Sequence, residues 1–224
     1  KGIELSADGD VIRTKDFTWN VSANVSYNCN RLKELYNGVT EYVNSTTGLK
    51  YVVGHSVSEF FLNRYAGVNP ANGEQLWYDK DGNVTNEFRE SDKVMTGKTY
   101  DAPWMGGFGT TLRWKGLQLG VQFSWIGTRY VINNDRYFEE SGVTFGTAYN
   151  QSKRVLYDRW KNPGDITDIP KWGEVNQLDD RYLENAAFLR LKNLSLSYSL
   201  PQSLLSKTHF FSMVRIYGQA QNLF

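Results

Sequence analysis

From Phe17 to Asn30 the chain reads FTWNVSANVSYNCN. Phe17, Trp19, Val21, Ala23, Val25, Tyr27 and Cys29 hold every odd position; Thr18, Asn20, Ser22, Asn24, Ser26, Asn28 and Asn30 hold every even one. Extended backbone sends successive side chains to opposite faces, so this stretch predicts a strand apolar on one side and uncharged-polar on the other. A strand of a soluble sheet runs about 5–6 residues and often carries charge on its wet face. This stretch is longer and cleaner, which points to a sheet whose two faces meet two different media.

The same pattern recurs along the chain. In GIELSADGDVIR, 2–13, Ile3, Leu5, Ala7 and Val11 share a phase, and the link 14–16 makes a long hairpin with the opening strand. Phe108, Thr110, Leu112 and Trp114 alternate in 105–114. After the Lys115-Gly116 turn, Leu117, Leu119, Val121, Phe123 and Trp125 do the same. A third pair, 187–200 and 213–224, is joined by 201–212. Within it Leu189 and Leu191 are out of phase with Leu194, Leu196 and Tyr198, which one extra residue near Lys192-Asn193, a β-bulge, would repair.

Connections are therefore short or moderate at 14–16, 115–116 and 201–212, and long at about 30–104 and 134–186. Outer-membrane barrels alternate short periplasmic turns with long extracellular loops in this way. Within the long segments, Asn69-Pro70-Ala71-Asn72-Gly73 and Asp79-Lys80-Asp81-Gly82 flank an apolar stretch and predict a small hairpin standing in the loop. One helix is predicted, over 150–161, ended by NPGD. Phe17 and Tyr27 lie on one face, ten residues apart. That is roughly 33 Å of strand, or about 25 Å of height at a ~40° tilt, the thickness of a barrel's apolar band.

Composition is compatible with such a barrel. Hydrophobic residues make up 40% of the 224 residues, and mean hydropathy is −0.52, values that alternation between a lipid and a water face produces without any membrane helix. Lys plus Arg number 25 against 24 for Asp plus Glu, so no charge excess points to nucleic acid or anionic lipid. Cys29 is the single cysteine, and His55 and His209, the two histidines, sit in no metal-ligand or nucleophile spacing. No catalytic residue, metal or cofactor is expected, and the chain does not read as an enzyme. Asp79-Lys80-Asp81-Gly82-Asn83 has its glycine at position four rather than six of a calcium loop and reads as a turn.

Five stretches resemble the C-terminal part of the SusC/RagA family of TonB-dependent outer-membrane transporters of Bacteroidetes. They are KGIELSADGDVIRTKDFTWNVSANVSYN (1–28), YAGVNPANGEQLWYDKDGNVT (65–85), MGGFGTTLRWKGLQLGVQFSW (105–125), ENAAFLRLKNLSLSYSLPQSLLSK (184–207) and VRIYGQAQNLF (214–224). The resemblance implies a 22-stranded transmembrane antiparallel barrel with an N-terminal plug, of which this chain is a part without the plug or the final strands. It also implies coupling to a TonB complex and a SusD-like surface lipoprotein as partner.

The candidate site residues divide accordingly. Phe17, Trp19, Val21, Val25, Tyr27, Trp114, Phe123 and Trp125 are expected to face lipid or to form the interfacial girdles. Tyr65, Trp77, Tyr78, Trp104, Trp160 and Trp172 fall in the long segments, where flat rings can stack on a substrate or pack against a partner. The expected function is import of a polar oligomer, a glycan or an oligopeptide, across the outer membrane of a Gram-negative cell. The competing class is a soluble or secreted carbohydrate-binding β-sandwich, which predicts shorter strands and charged wet faces.

Overall fold

The computed structural model describes residues 1–44, 48–141 and 150–224, so residues 142–149 of the second long segment lie outside the described residues. The chain forms two compact units. One comprises Lys1–Asn30, Ala102–Arg129 and Ala187–Phe224, the other Arg31–Asp101 and Tyr130–Ala186.

The first unit is one six-stranded antiparallel sheet: β1 (Gly2–Arg13), β2 (Phe17–Asn28), β3 (Trp104–Trp114), β4 (Leu117–Ile126), β5 (Phe188–Ser199) and β6 (Arg215–Gln221). Each strand pairs with the next in chain order, an up-and-down meander. Residues directly opposite each other share a face, so the register tests the alternation. Trp19 is opposite Leu112, Val21 opposite Thr110, Ala23 opposite Phe108 and Tyr27 opposite Trp104. The rows continue through Leu112–Leu119, Thr110–Val121 and Phe108–Phe123 to Leu119–Leu196 and Val121–Leu194. On the other face Ser22, Gly109, Gln122 and Asn193 form one row, and Asn20, Thr111, Gly120 and Ser195 another. The apolar and polar faces thus run unbroken across the strands. A sandwich would need a second sheet against the apolar face, and this unit contains one sheet.

Two bulges keep the faces in phase. Gln122 pairs with Asn193 while Phe123 pairs with Leu191, leaving Lys192 as the extra residue where the sequence calls for one. The second lies in β1: Asp10 pairs with Asn20 and Ile12 with Trp19, so Val11 is the extra residue and Ile12, not Val11, continues the apolar row.

Polar atoms on the apolar face are paired within it. The Trp19 indole N–H donates to Thr110 Oγ1 at 2.7 Å, and that hydroxyl donates to the Asn20 carbonyl at 3.0 Å. Gly106 lies beneath the Trp125 ring, where a Cβ would stand 2.3 Å from the Asn24 carbonyl oxygen. Gly107 and Gly109 fall on the polar face. Rings gather at the two ends: Tyr27 packs on Trp104 with centroids 4.6 Å apart, and ten residues along each strand Phe17 pairs with Trp114. Among the described residues no helix is long and apolar enough to cross a membrane.

Candidate functional site

The second unit contains the two long segments, and they fold together. The predicted hairpin is present, as Arg64–Val68 and Gln75–Tyr78 with a third strand at Val84–Thr85. Its turns are held by side chains. Asn69 Oδ1 accepts from Ala71 N–H and Asn72 Oδ1 from Glu74 N–H. Asp79 Oδ1 accepts from the amides of Asp81 and Asn83 at 2.9 and 2.8 Å. Hydrogen bonds led by that from the Asn83 side chain hold the Asp79 carboxyl below the usual carboxylate range.

The hairpin does not stand free, however. Gly73, at φ +76°, lies under the Trp160 ring, whose carbons would be 2.5 and 2.6 Å from any Cβ there. The Trp160 N–H donates to the Pro70 carbonyl at 3.1 Å, and Lys171 N–H donates to the Gly73 carbonyl. The sequence distance between the partners is about 90 residues. Each segment supplies half of one core, in which Leu62, Val68 and Trp77 from the first join Val155, Ile169, Tyr182 and Leu183 from the second.

At its centre is a polar knot. Asp179, fully buried, accepts from the Trp77 indole at 2.8 Å and from Arg181 Nε at 3.0 Å. Arg181 Nη2 donates to Gln75 Oε1 at 2.5 Å, and its guanidinium lies 4.0 Å from the Tyr65 ring centroid and 4.9 Å from that of Tyr182. Tyr65 N–H donates to Asp180 Oδ1 at 2.8 Å. Burial pushes the Asp179 carboxyl up despite Arg181 beside it, and burial also raises the hydroxyls of Tyr65 and Tyr182. Burial draws the Arg181 guanidinium down, but Asp179, Tyr182 and Tyr65 together more than offset it. The knot joins the two segments with charge-assisted hydrogen bonds in a low-dielectric setting.

A second network borders it. Arg136 pairs with Glu140 at 3.2 Å and Glu184 at 2.8 Å, while Arg154 reaches Glu140 at 2.5 Å and Asp168 at 2.8 Å. Arg136 extends from a helix, Asn134–Glu139, that the sequence pattern does not announce; Asn133 caps it, accepting from Arg136 N–H. The helix predicted over 150–161 is Lys153–Tyr157 only, capped by Ser152. It stops because Arg159 and Trp160 leave it to bridge to Ile169.

The six loop aromatics fall into distinct settings. Trp77 is 4% exposed and belongs to the core, with Tyr65 edge-on to it at 6.3 Å. Tyr78 is half-buried beneath Arg64, and Trp160 is half-buried over the hairpin turn. Trp172 is 61% exposed with Arg159 against its ring. Trp104 opens β3 and lies in the sheet unit.

Sequence reading did not single out two of the most exposed apolar residues of this unit. Ile166 is 93% exposed and Tyr157 72%, both on a cleft of about 530 Å³ that also includes Asp158, Lys161, Asp165 and Asp168. The loop carrying Ile166 is fixed. Asp165 Oδ2 accepts from the amides of Lys161 and Asn162, Gly164 N–H donates to the Pro70 carbonyl, and Thr167 donates to the Asp158 carbonyl. Among the described residues no three His, Cys, Asp or Glu side chains are placed to hold a metal ion.

No family model matches the chain. Its whole length is 28% identical to TonB-dependent receptor P3 of Formosa agariphila and 26% identical to TonB-dependent receptor SusC of Bacteroides thetaiotaomicron, covering 24% and 22% of those proteins. It also matches throughout the solved structure of the RagAB peptide transporter, at 36% identity and TM-score 0.89, over 25% of that chain. Over its whole length the chain is similar to SusC- and RagA-type TonB-dependent receptors. It spans about a quarter of the length of these relatives. The six-stranded meander is accordingly a partial antiparallel barrel, and the proteins it resembles are receptors and transporters.

Proposed function

We propose that this chain is part of an outer-membrane importer that takes up a polar oligomer, a glycan or an oligopeptide, driven through TonB and closed on the outside by a SusD-like lipoprotein. The observation that carries the reading is the register that keeps apolar and polar residues on opposite faces across the strands. In hydrocarbon every backbone amide needs a partner, and a closed barrel with lipid outside and water inside supplies it. On this reading Phe17, Trp19, Val21, Val25, Tyr27, Trp114, Phe123 and Trp125 meet lipid or headgroups. The short turns take the periplasmic rim, and the two long segments lie outside the cell.

The long segments then act as one preformed platform. Tyr65, Trp77 and Trp160 support it from within, while Tyr78 and Trp172 meet the lipoprotein or the incoming solute; Trp104, packed on Tyr27 in the sheet, shares that ring's face instead. Rigid, exposed apolar side chains favour partner contact because they are ordered before binding. Ile166 and Tyr157 have that character.

The test uses the full-length protein carrying Ile166→Asp and Tyr157→Asp. Capture of the lipoprotein from detergent extracts is expected to fall at least tenfold, with uptake of defined glycans or peptides falling in parallel and heat-modifiability of the barrel unchanged. Unaltered capture and uptake would remove this surface from the function.

A further inference from the structure

The three short connections of the sheet lie at one end. Lys115 N–H donates to the Asp16 carbonyl at 2.8 Å, and Ser199 N–H to the Gly116 carbonyl at 2.8 Å. Two of these turns are minimal. The third, 201–212, is far longer than an antiparallel pair requires, and its surface is apolar. Leu204, Phe210, Phe211 and Met213 are exposed, Phe210 by 84% and Met213 by 76%.

The segment is an ordered turn rather than slack chain. A short helix, Gln202–Leu205, follows Pro201, and Leu205 is buried. Thr208 Oγ1 donates to the Leu205 carbonyl at 2.7 Å and accepts from Phe211 N–H at 3.2 Å. Phe210 and Phe211 pack edge to face with centroids 5.0 Å apart. At the base Leu200 N–H donates to the Val214 carbonyl at 3.0 Å.

Phase connects this patch to the apolar face of the sheet. Tyr198 pairs with Leu117 on one side and Ile216 on the other, and Leu117 with Trp114, in the last apolar row of the sheet at this end. Leu200 and Val214 lie two residues beyond Tyr198 and Ile216, in the same phase. The apolar face therefore runs on into the base of the turn, beyond which stand the exposed Leu204, Phe210, Phe211 and Met213.

We infer that residues 201–213 form an interfacial foot, with Leu204, Phe210, Phe211 and Met213 set into the headgroup–acyl boundary of the phospholipid leaflet at the short-turn rim. The inference rests on the membrane-barrel reading above. Interfacial segments bury their apolar side to about 5–10 Å, and rings at headgroup level hold a protein's height in the bilayer. Lys207 and His209, within the turn, supply the polar side that such a segment keeps at the surface. The foot fixes how deep this edge of the barrel sits.

The experiment places one environment-sensitive fluorophore at a time on the full-length protein, with Cys29→Ser and any other cysteine replaced, through Phe210→Cys, Val21→Cys or Lys15→Cys. The barrels are folded into phosphatidylethanolamine–phosphatidylglycerol vesicles carrying nitroxide quenchers near the headgroup or at mid-chain. At position 210 the shallow quencher is expected to be at least twice as effective as the deep one. At 21 the order reverses, and at 15, in a minimal turn of the same end, shallow quenching is less than half that at 210. Deep quenching at 21 with none at 210 overturns the foot and leaves the barrel reading standing; absence of quenching at 21 overturns both. If Phe210→Cys does not assemble, Met213→Cys is read by the same criteria.

Discussion

A single residue step separates lipid from lumen in the proposed barrel. Val21 lies in the row with Thr110 and Val121, and Ser22 in the row with Gly109 and Gln122. Val21→Arg is expected to cost about 2–4 kcal/mol near the bilayer midplane and Ser22→Arg much less. Denaturant titrations in lipid vesicles measure the contrast, and equal costs would refute the assignment of faces. In the platform, Asp179→Ala strands the Arg181 guanidinium in a buried site and is expected to cost about 3–5 kcal/mol of local stability. Trp77→Phe keeps most of the ring and loses the bond to Asp179, for about 1–3 kcal/mol. Limited proteolysis of the full-length protein reports both: cleavage within 31–101 and 130–186 accelerates while heat-modifiability of the barrel is retained. Unchanged cleavage in Asp179→Ala would show that the knot does not hold the platform.

Strands were more legible in the sequence than the platform, for a physical reason. Alternation is local, and each strand announces its own phase. The Lys192 bulge is visible because leucines stand on both sides of the phase break at Leu189, Leu191 and Leu194. The Val11 bulge is not, because Asp8, Gly9 and Asp10 precede it without an apolar marker and Val11 and Ile12 are equally apolar. Deleting Lys192 removes the extra residue and leaves Leu191 opposite Phe123, whereas deleting Lys192 and Asn193 together sets Leu191 opposite Gln122 and turns Leu189 and Leu191 to the polar face. Barrel yield on refolding is expected to hold in the single deletion and to collapse in the double one; equal yields would show that the apolar phase has no role in registry. The platform depends on pairs such as Trp77 with Asp179, separated by 102 residues, which no local period encodes. Its ion network also sets a pH limit. Arg136, through its hydrogen bond, and Asn133 hold the Glu184 carboxyl below its ordinary range. A carboxylate with a depressed folded value stabilises above its unfolded value, about 4.3 for glutamate, and loses that contribution as pH falls through the folded one. Proteolysis by an acid-active protease is therefore expected to spare the platform at pH 6 and to speed up below about pH 4. A flat profile would refute the linkage.

At the scale of the molecule, the sheet has two open edges. β1 and β6 each have a partner on one side within this chain, and unpaired edges template aggregation and are costly in hydrocarbon. Residues 1–224 expressed alone are expected to aggregate on refolding, as size-exclusion chromatography in detergent would report. A monomeric, cooperatively unfolding product would show that the sheet is self-sufficient.

The shared core of the two long segments has an evolutionary consequence. Because Gly73 fits Trp160, Gln75 fits Arg181 and Trp77 fits Asp179 across the two insertions, neither insertion is free to drift alone. They behave as one heritable cassette interrupted by barrel strands. Across homologues, substitutions in 63–77 should covary with those in 159–182 more strongly than either does with the strands between them. A chimaera that grafts both insertions from a relative should fold, whereas one that grafts either alone should not. Recognition in such a transporter would then diversify by exchange of the pair as a unit, leaving the wall in the membrane untouched.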